Sequence, residues 1–367
     1  MAKFTIIHHN DLDGIAAAAI VYNYLADKFS NYSRMGCMYQ FDVAFVEYKY
    51  DDASNVAANE ALKTAADENH DGVYIVDISI SDTNIDQLQN IYKIDPDKIV
   101  WCDHHVSSIN WLKSVAGTDR ELKYRGTVNT RRCGAALIYQ FLYNCTFRSV
   151  PAFVKLVDDY DRYILSRPES EWFNAAFYGS EDLRDPTDDN WKIICSLFNK
   201  NNPSALGLFI KRGRVIMDYQ EHENAIARKT KMYPMHIDFC TDDSKFERYN
   251  CMGMNHSGSP DVFGDVRNDE RVDVCVTWYV TRDNNIKYSF RSSHNWVRCD
   301  IIAKYLGGGG HVLAAGAVEN GRTRASGENI ILHISKDDMK AIRRALKKRP
   351  KFTDDAEVEA LESSDNI

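Results

Sequence analysis

The first hundred residues alternate between two hydrophobic periods. Four apolar runs, Phe4–His8, Phe41–Tyr48, Val73–Ile80 and Ile99–Cys102, are dense in β-branched and aromatic residues and read as strands. Between them, Ile15–Phe29 and Ser54–Ala66 repeat their apolar residues at helical spacing. Consecutive parallel strands need a crossover of a dozen or more residues, and a helix is the usual one. The alternation therefore predicts an α/β fold built on a parallel sheet with helices on both faces. Helical spacing at Gly134–Cys145 and Pro151–Asp158 extends the same domain.

At 367 residues the chain exceeds what one hydrophobic core usually serves, so two domains are expected. From about Asp182 to Ser204 the sequence is polar and irregular, with Pro186, Pro203 and Asn199-Lys200-Asn201-Asn202, and a helix pattern follows at Leu206–Arg228. Beyond it the pattern turns β-rich. Val272–Val280 and Ile286–Arg291 flank Arg282-Asp283-Asn284-Asn285, which is hairpin chemistry. Lys336–Lys348 reads as a basic amphipathic helix, and Asp354–Ile367 is acidic. The expected division is a first domain at 1–181, a linker region with its connecting helix at 182–228, a smaller α/β domain at 229–350 and a flexible acidic tail at 351–367.

Composition narrows the partners. Apolar residues make up 44% and charged residues 27%, and no run of about 18 apolar residues is present to span a bilayer. The start Met1-Ala2-Lys3-Phe4-Thr5-Ile6-Ile7 turns polar at His8, too early for a signal peptide, so a soluble cytoplasmic protein with no membrane partner is expected. Nine cysteines with no Cys-x-x-Cys pair argue against a disulfide framework and a zinc knuckle. A net charge of −8 is unsuited to holding long nucleic acid by broad phosphate neutralisation. A short strand in one local pocket remains compatible with it.

Four acidic or imidazole clusters close consecutive elements. His9-Asn10-Asp11-Leu12-Asp13-Gly14 follows the first strand, and in extended or turning backbone His9, Asp11 and Asp13 can converge. Asp77 closes the third run, and Asp103-His104-His105 the fourth. Asp158-Asp159-Tyr160-Asp161 follows the helical Pro151–Val157. Each has an ordinary reading: a turn for the first, a helix N-cap for Asp77, a solvated helix end for the last. Together they place carboxylates and imidazoles at the carboxyl ends of strands in one sheet, where ligands of open α/β folds bind. That set suffices for two divalent metal ions sharing a bridging Asp. Carboxylate with imidazole and no thiolate motif favours Mn²⁺, with Mg²⁺ as the alternative. Two such ions suit in-line displacement at phosphorus, so a phosphoester substrate is expected.

The second domain contributes Leu306-Gly307-Gly308-Gly309-Gly310-His311-Val312-Leu313-Ala314-Ala315-Gly316. Glycines let backbone amides approach an anion, and a helical run starting near His311 would add a positive N-terminus. Upstream, Arg291 in Ser289-Phe290-Arg291-Ser292-Ser293 could clamp a phosphate bidentately.

In this order His9-x-Asp11-x-Asp13-Gly14, Asp77, Asp103-His104-His105, the Asp158–Asp161 cluster and Gly308-Gly309-Gly310-His311-x-x-Ala314-Ala315-Gly316 resemble the DHH/DHHA1 phosphoesterases. The resemblance implies that His9, Asp11 and Asp77 hold one metal. It implies that Asp13, Asp77, His104 and Asp159 hold the other, with Asp161 the rival in the fourth motif. His105 would orient substrate or assist protonation, and Asp103 would fix an imidazole. Arg291, Gly308, Gly309, Gly310 and His311 would bind the far end of the substrate across a cleft from the metals. The short Asp-Leu-Asp-Gly form resembles the B-type nanoRNase branch and leaves His8 as an alternative to His9. The implied activity is hydrolysis of a short single-stranded oligonucleotide or small nucleotide, by a protein for which a homodimer is open. Alternatives are a cyclic-dinucleotide or 3′-phosphoadenosine phosphate phosphoesterase and a non-catalytic nucleotide-binding regulator. Tyr160, Tyr163 and Trp296 are candidates to stack bases or to fill the core.

Overall fold

A computed structural model describes residues 1–34, 40–80, 88–196, 204–241, 246–319 and 329–350. The acidic tail at 351–367 and Asn199–Pro203 of the expected linker lie outside the described residues. The chain divides into two compact units, Met1–Asp218 and Tyr219–Ile367. No helix among the described residues is long and apolar enough to cross a membrane.

The first unit is a five-stranded parallel sheet in the order β2-β1-β3-β4-β5. Its strands are β1 (Ala2–His9), β2 (Phe41–Tyr48), β3 (Gly72–Val76), β4 (Ile99–Asp103) and β5 (Arg125–Val128). The helices are α1 (Leu12–Arg34), α2 (Asp52–Asp67), α3 (Val106–Val115), α4 (Gly134–Tyr143), α5 (Ala152–Asp161), α6 (Pro168–Tyr178) and α7 (Asp189–Ser196). Alternate strand residues fill two cores. Ile6, Tyr74, Val76, Val100 and Cys102 pack with α1, α4 and α5 on one face. Ile7, Val73, Ile75, Ile99 and Trp101 pack with α2 and α3 on the other. Fully covered strands have no polar face, which is why their sequences lack alternation. Ala16–Ala19 of α1 are fully buried; their small side chains let the helix seat closely among its neighbours.

The chain passes from β1 to β2 on one side and returns to β3 on the other. This makes the carboxyl ends of β1 and β3 a topological switch point, the place where open α/β sheets leave a crevice. The third run ends as a strand at Val76 rather than Ile80, because Asp77 takes φ +57° and turns the chain out of the sheet.

The long α8 (Ser204–Lys231) contains the boundary between the units. The second unit is a seven-stranded mixed sheet, β10-β11-β9-β8-β7-β6-β12. Its elements are β6 (Tyr233–Cys240), β7 (Phe246–Asn255), β8 (Val274–Val280), β9 (Ile286–Arg291), α9 (Cys299–Tyr305), β10 (Gly309–His311), β11 (Ala314–Glu319), β12 (Ile330–His333) and α10 (Lys336–Leu346). Met339, Ile342 and Ala345 form the buried stripe of α10, and α9 shares the same core. The β8–β9 hairpin forms as expected, with Asn284 at φ +65° in its turn.

One expectation is corrected here. No helix starts at His311: Gly309–His311 pairs antiparallel with Ala314–Gly316 around a Val312-Leu313 turn. Glycine at Gly310 is required, since φ is +141° and a Cβ would stand 2.6 Å from Ala315 Cα. The phosphate site expected there therefore has no helix dipole to draw on.

Candidate metal centre

His9 is the last residue of β1, and pleating sends it and His8 to opposite faces. His8 is buried with its ring edge against Phe45 and its Nδ1 2.8 Å from the His9 carbonyl. The imidazole at the strand end is therefore that of His9. Asp11 Oδ1 accepts from Gly14 N (3.0 Å), a turn that starts α1. Asp13, in the first turn of α1, accepts from Gly134 N (2.5 Å) and Ala135 N (2.8 Å) at the start of α4. The helix N-terminus holds this carboxylate in one orientation. Gly134 permits the approach: a Cβ there would lie 2.7 Å from Asp77 Cβ and 3.0 Å from Asp13 Oδ2. Only its place directly after Cys133 at a helix start signals it in the sequence.

Asp77 is 1% exposed and held in the left-handed region, with its amide donating to Cys102 O (2.9 Å). A non-glycine residue there costs free energy, and such residues gather at functional sites. His104 Nε2 lies 3.2 Å from Asp77 Oδ1, 3.3 Å from Asp161 Oδ2 and 3.9 Å from Asp13 Oδ2. His9 Nδ1 lies 2.9 Å from Asp11 Oδ2 and 3.7 Å from Asp77 Oδ2. Three overlapping sets each bring ligand atoms within 4.8 Å of one another: His9, Asp11 and Asp77; Asp13, His104 and Asp161; Asp77, His104 and His105. Asp77 and His104 each belong to two sets.

Asp103 is outside these sets. It is fully buried, bonded to His105 Nδ1 (2.7 Å) and to Ser108 Oγ. Hydrogen bonding at Nδ1 fixes the His105 ring and leaves Nε2 for other partners.

The fourth cluster divides by direction. Asp158 accepts from Cys133 N (2.8 Å) and Arg132 (3.1 Å). Asp159 accepts from Ser166 N (3.1 Å), Ser166 Oγ (2.5 Å) and Ser170 Oγ (2.7 Å). The carboxylate brought to His104 is that of Asp161, not Asp159. At about 100° per residue the two project from nearly opposite sides of α5, so both cannot face the cluster.

The electrostatics are those of a cluster short of positive charge. Burial, then Asp77, pushes Asp13 up to about 8. Burial, then Asp13, pushes Asp161 up to about 7. Burial pulls His104 down, but Asp77, Asp13 and Asp161 outweigh it and hold the ring up at about 10. His9 is likewise held at about 10, by Asp11 and Asp77 against burial. Three buried ligand atoms, His9 Nδ1, Asp77 Oδ1 and Asp161 Oδ2, make no well-aligned hydrogen bond and meet only charged groups of the cluster itself, as ion pairs. Buried polar atoms are nearly always satisfied, so three orphans converging in one spot fit divalent cations. Cys133 is beside Asp13, but burial drives its thiol far above the ordinary range, which leaves an oxygen and imidazole donor set.

In the second unit, register aligns His311 with Ala314 and Ala314 with Arg291. The small Ala314 leaves space between the imidazole and the guanidinium. Gly308, Gly309, Gly310 and His311 are exposed, and Arg291 Nη1 donates to Phe290 O (2.9 Å). Trp296 is core, with Nε1 bonded to Asp273 (2.8 Å), whereas Tyr163 is 80% exposed just after α5.

A parallel α/β unit with an acid and imidazole cluster at its switch point, and a second unit built on a mixed sheet, define a two-unit α/β protein. Residues 3–158 match the DHH family, N-terminal domain, so the first unit carries a DHH-family domain. Among solved structures it is similar to the DHH domain of a member of the s1p family of ribosomal proteins. That likeness has 12% identity and a TM-score of 0.54, over 95% of this chain and 88% of that one. It is also similar to a pGpG-specific phosphodiesterase from Vibrio cholerae (10% identity, 94% and 97% covered, TM-score 0.43). Exonuclease RecJ bound to manganese is a further likeness (15%, 96% and 91%, TM-score 0.40). No curated protein matches the chain.

Proposed function

We propose that this protein is a metal-dependent phosphodiesterase that hydrolyses short oligonucleotides to mononucleotides. The observation that carries the reading is the trio of unbonded ligand atoms, His9 Nδ1, Asp77 Oδ1 and Asp161 Oδ2, in a buried acid cluster. His9, Asp11 and Asp77 would hold one divalent cation, and Asp13, Asp77, His104 and Asp161 a second. Mn²⁺ is the expected ion and Mg²⁺ the alternative. When bound, such ions supply a hydroxide nucleophile near neutral pH and offset charge on the phosphoryl oxygens.

The chain's own groups do the rest. The α4 N-terminus keeps Asp13 aimed at the cluster, and the αL turn at Asp77 presents one oxygen to His9 and the other to His104. Asp103 fixes the His105 ring, and Asp103 and Asp77 raise that imidazole above its ordinary range although burial opposes them. A protonated His105 Nε2 is the group to protonate the leaving oxygen. In the second unit, the row His311–Ala314–Arg291 offers two donors to a phosphate or ribose, Arg291 through its fork. The net charge of −8 supports a short substrate over a long one.

The test is Mn²⁺-dependent hydrolysis of an RNA dinucleotide, five-mer and 24-mer, a DNA five-mer, cyclic di-AMP and 3′-phosphoadenosine phosphate, with Asp77→Asn as control. Preference for the shortest RNAs, lost in the control, is the expected result. Cleavage of the cyclic or 3′-phosphorylated nucleotide alone would reassign the substrate, and no cleavage of any would overturn hydrolysis.

A further inference from the structure

The parallel sheet of the first unit carries a second polar recess, a cavity of about 480 Å³ between α1, α4 and the β3–β5 side of the sheet. Tyr74 of β3 and Arg125 of β5 stand in one row, joined through β4. Tyr24 and Lys28 of α1, with Gln140 and Phe141 of α4, complete the walls. Tyr74 precedes Asp77 by three residues, so at about 3.3 Å per residue the recess is set back about 10 Å from the acid cluster.

Three features of this recess call for a ligand. Tyr74 lines the recess at 8% exposure, and no hydrogen bond ties up its hydroxyl among the described residues, which leaves that hydroxyl free for a ligand. Burial, then the neighbouring Tyr24, pushes that hydroxyl up to about 12 against the opposing Arg125, so it stays a donor. No acidic residue lines the cavity, although acids outnumber bases 53 to 45 in the chain. Lys28 and Arg125 thus face it without a carboxylate; Arg125 instead contacts Asp97 O at 3.3 Å and lies 5.7 Å from the Phe141 ring centre. The third feature is the combination of aromatic walls with these cations. A bare anion would leave the rings of Tyr24 and Phe141 unused, whereas a planar heterocycle can stack on them.

We propose that this recess binds a nucleoside monophosphate, with Lys28 and Arg125 on the phosphate, Tyr24 and Phe141 against the base, and Tyr74 and Gln140 on its polar edge. The site is separate from the acid cluster and stands whether or not the cluster is hydrolytic.

The test is calorimetric titration of the full chain in chelator with adenosine 5′-monophosphate, adenosine and inorganic phosphate. The chelator removes any metal-dependent binding, and Arg291→Ala/His311→Ala, which should leave binding unchanged, separates the recess from the second unit's donor row. The nucleotide should bind at least tenfold more tightly than either fragment. Lys28→Ala/Arg125→Ala should weaken it about tenfold or more, Tyr74→Phe by a few-fold, and Asp77→Asn not at all. Both cations are exposed, so the double variant should melt with the parent, which a thermal scan checks. The proposal is overturned if the nucleotide does not bind, if phosphate or adenosine alone binds as tightly, or if the double variant binds normally.

Discussion

Asp77 and Asp273 are buried equally, at 1% and 0% exposure, and each flanks a strand of its own unit's sheet. Their surroundings are opposite. Asp273 accepts from Trp296 Nε1 (2.8 Å) and Asn250 N (2.7 Å) and pairs with Arg349 (2.6 Å). Asp77 keeps one oxygen without a hydrogen bond, sits among other carboxylates and holds a left-handed backbone. Burial alone does not distinguish a structural carboxylate from a reactive one; satisfaction does. In the first unit Asp77 keeps an oxygen without a hydrogen bond inside the acid cluster, and in the second Asp273 ties a loop, a strand and the chain beyond α10 together.

The sharpest way to break this contrast is Asp77→Asn. It should lower Mn²⁺-dependent kcat on the order of a thousandfold, because a ligand common to two sets is lost while the shape is kept. Without metal its melting temperature should equal or exceed the parent's, since a repelled charge is gone. A metal-free variant that melts well below the parent would make Asp77 structural like Asp273.

The converse is Asp273→Ala, which leaves Arg349 and Trp296 unpaired. Breaking one side of a buried pair costs about 3–5 kcal/mol, so urea unfolding should show a large loss. Turnover per folded molecule should stay near the parent's, and a selective loss of kcat would contradict the structural assignment.

A finer test lies within one helix. Asp161→Ala should weaken Mn²⁺ binding about tenfold to a hundredfold with little change in metal-free stability. Asp159→Ala should cost about 1–3 kcal/mol of stability by stripping Ser166 and Ser170 of their acceptor, with metal binding retained. Exchange of these two outcomes would return the ligand role to Asp159.

The smallest effect is on the pH dependence of stability. His9 and His104 are held at about 10 in the fold against an ordinary 6.5. Their contribution is complete below about pH 6.5 and is lost as pH rises through about 10. Asp13, raised to about 8, also binds its proton more tightly in the fold, so it adds to the same downward slope. Melting temperature in chelator should fall by a few degrees from about pH 6 to about pH 9. With Mn²⁺ the slope should flatten or invert, because the ion displaces those protons and binds better as pH rises.

Most of the first unit was legible in the sequence. Phe41–Tyr48 and the Ile99 run are strands within a residue of their expected ends, the second because a strand buried on both faces must be continuously apolar and the first because an edge strand alternates half-buried and exposed residues. The converging acids were legible because each follows such a run directly. Asp161 over Asp159 was not, since rotation about the α5 axis and the serines after it decide which carboxylate faces His104. Strands β6 and β7 carry polar residues among their apolar ones and were not singled out.

By itself, then, the sequence determined the β/α alternation, the switch-point chemistry and the set of ionisable residues, because local period and residue type act through neighbours in the chain. Tertiary structure alone decided which oxygens stay unbonded, that Gly134 makes room for Asp77 and Asp13, and that Gly309–His311 folds back as a strand. Those outcomes depend on contacts between residues far apart in sequence, such as Asp13 with Ala135 and Tyr74 with the row reaching Arg125, and no local pattern encodes them.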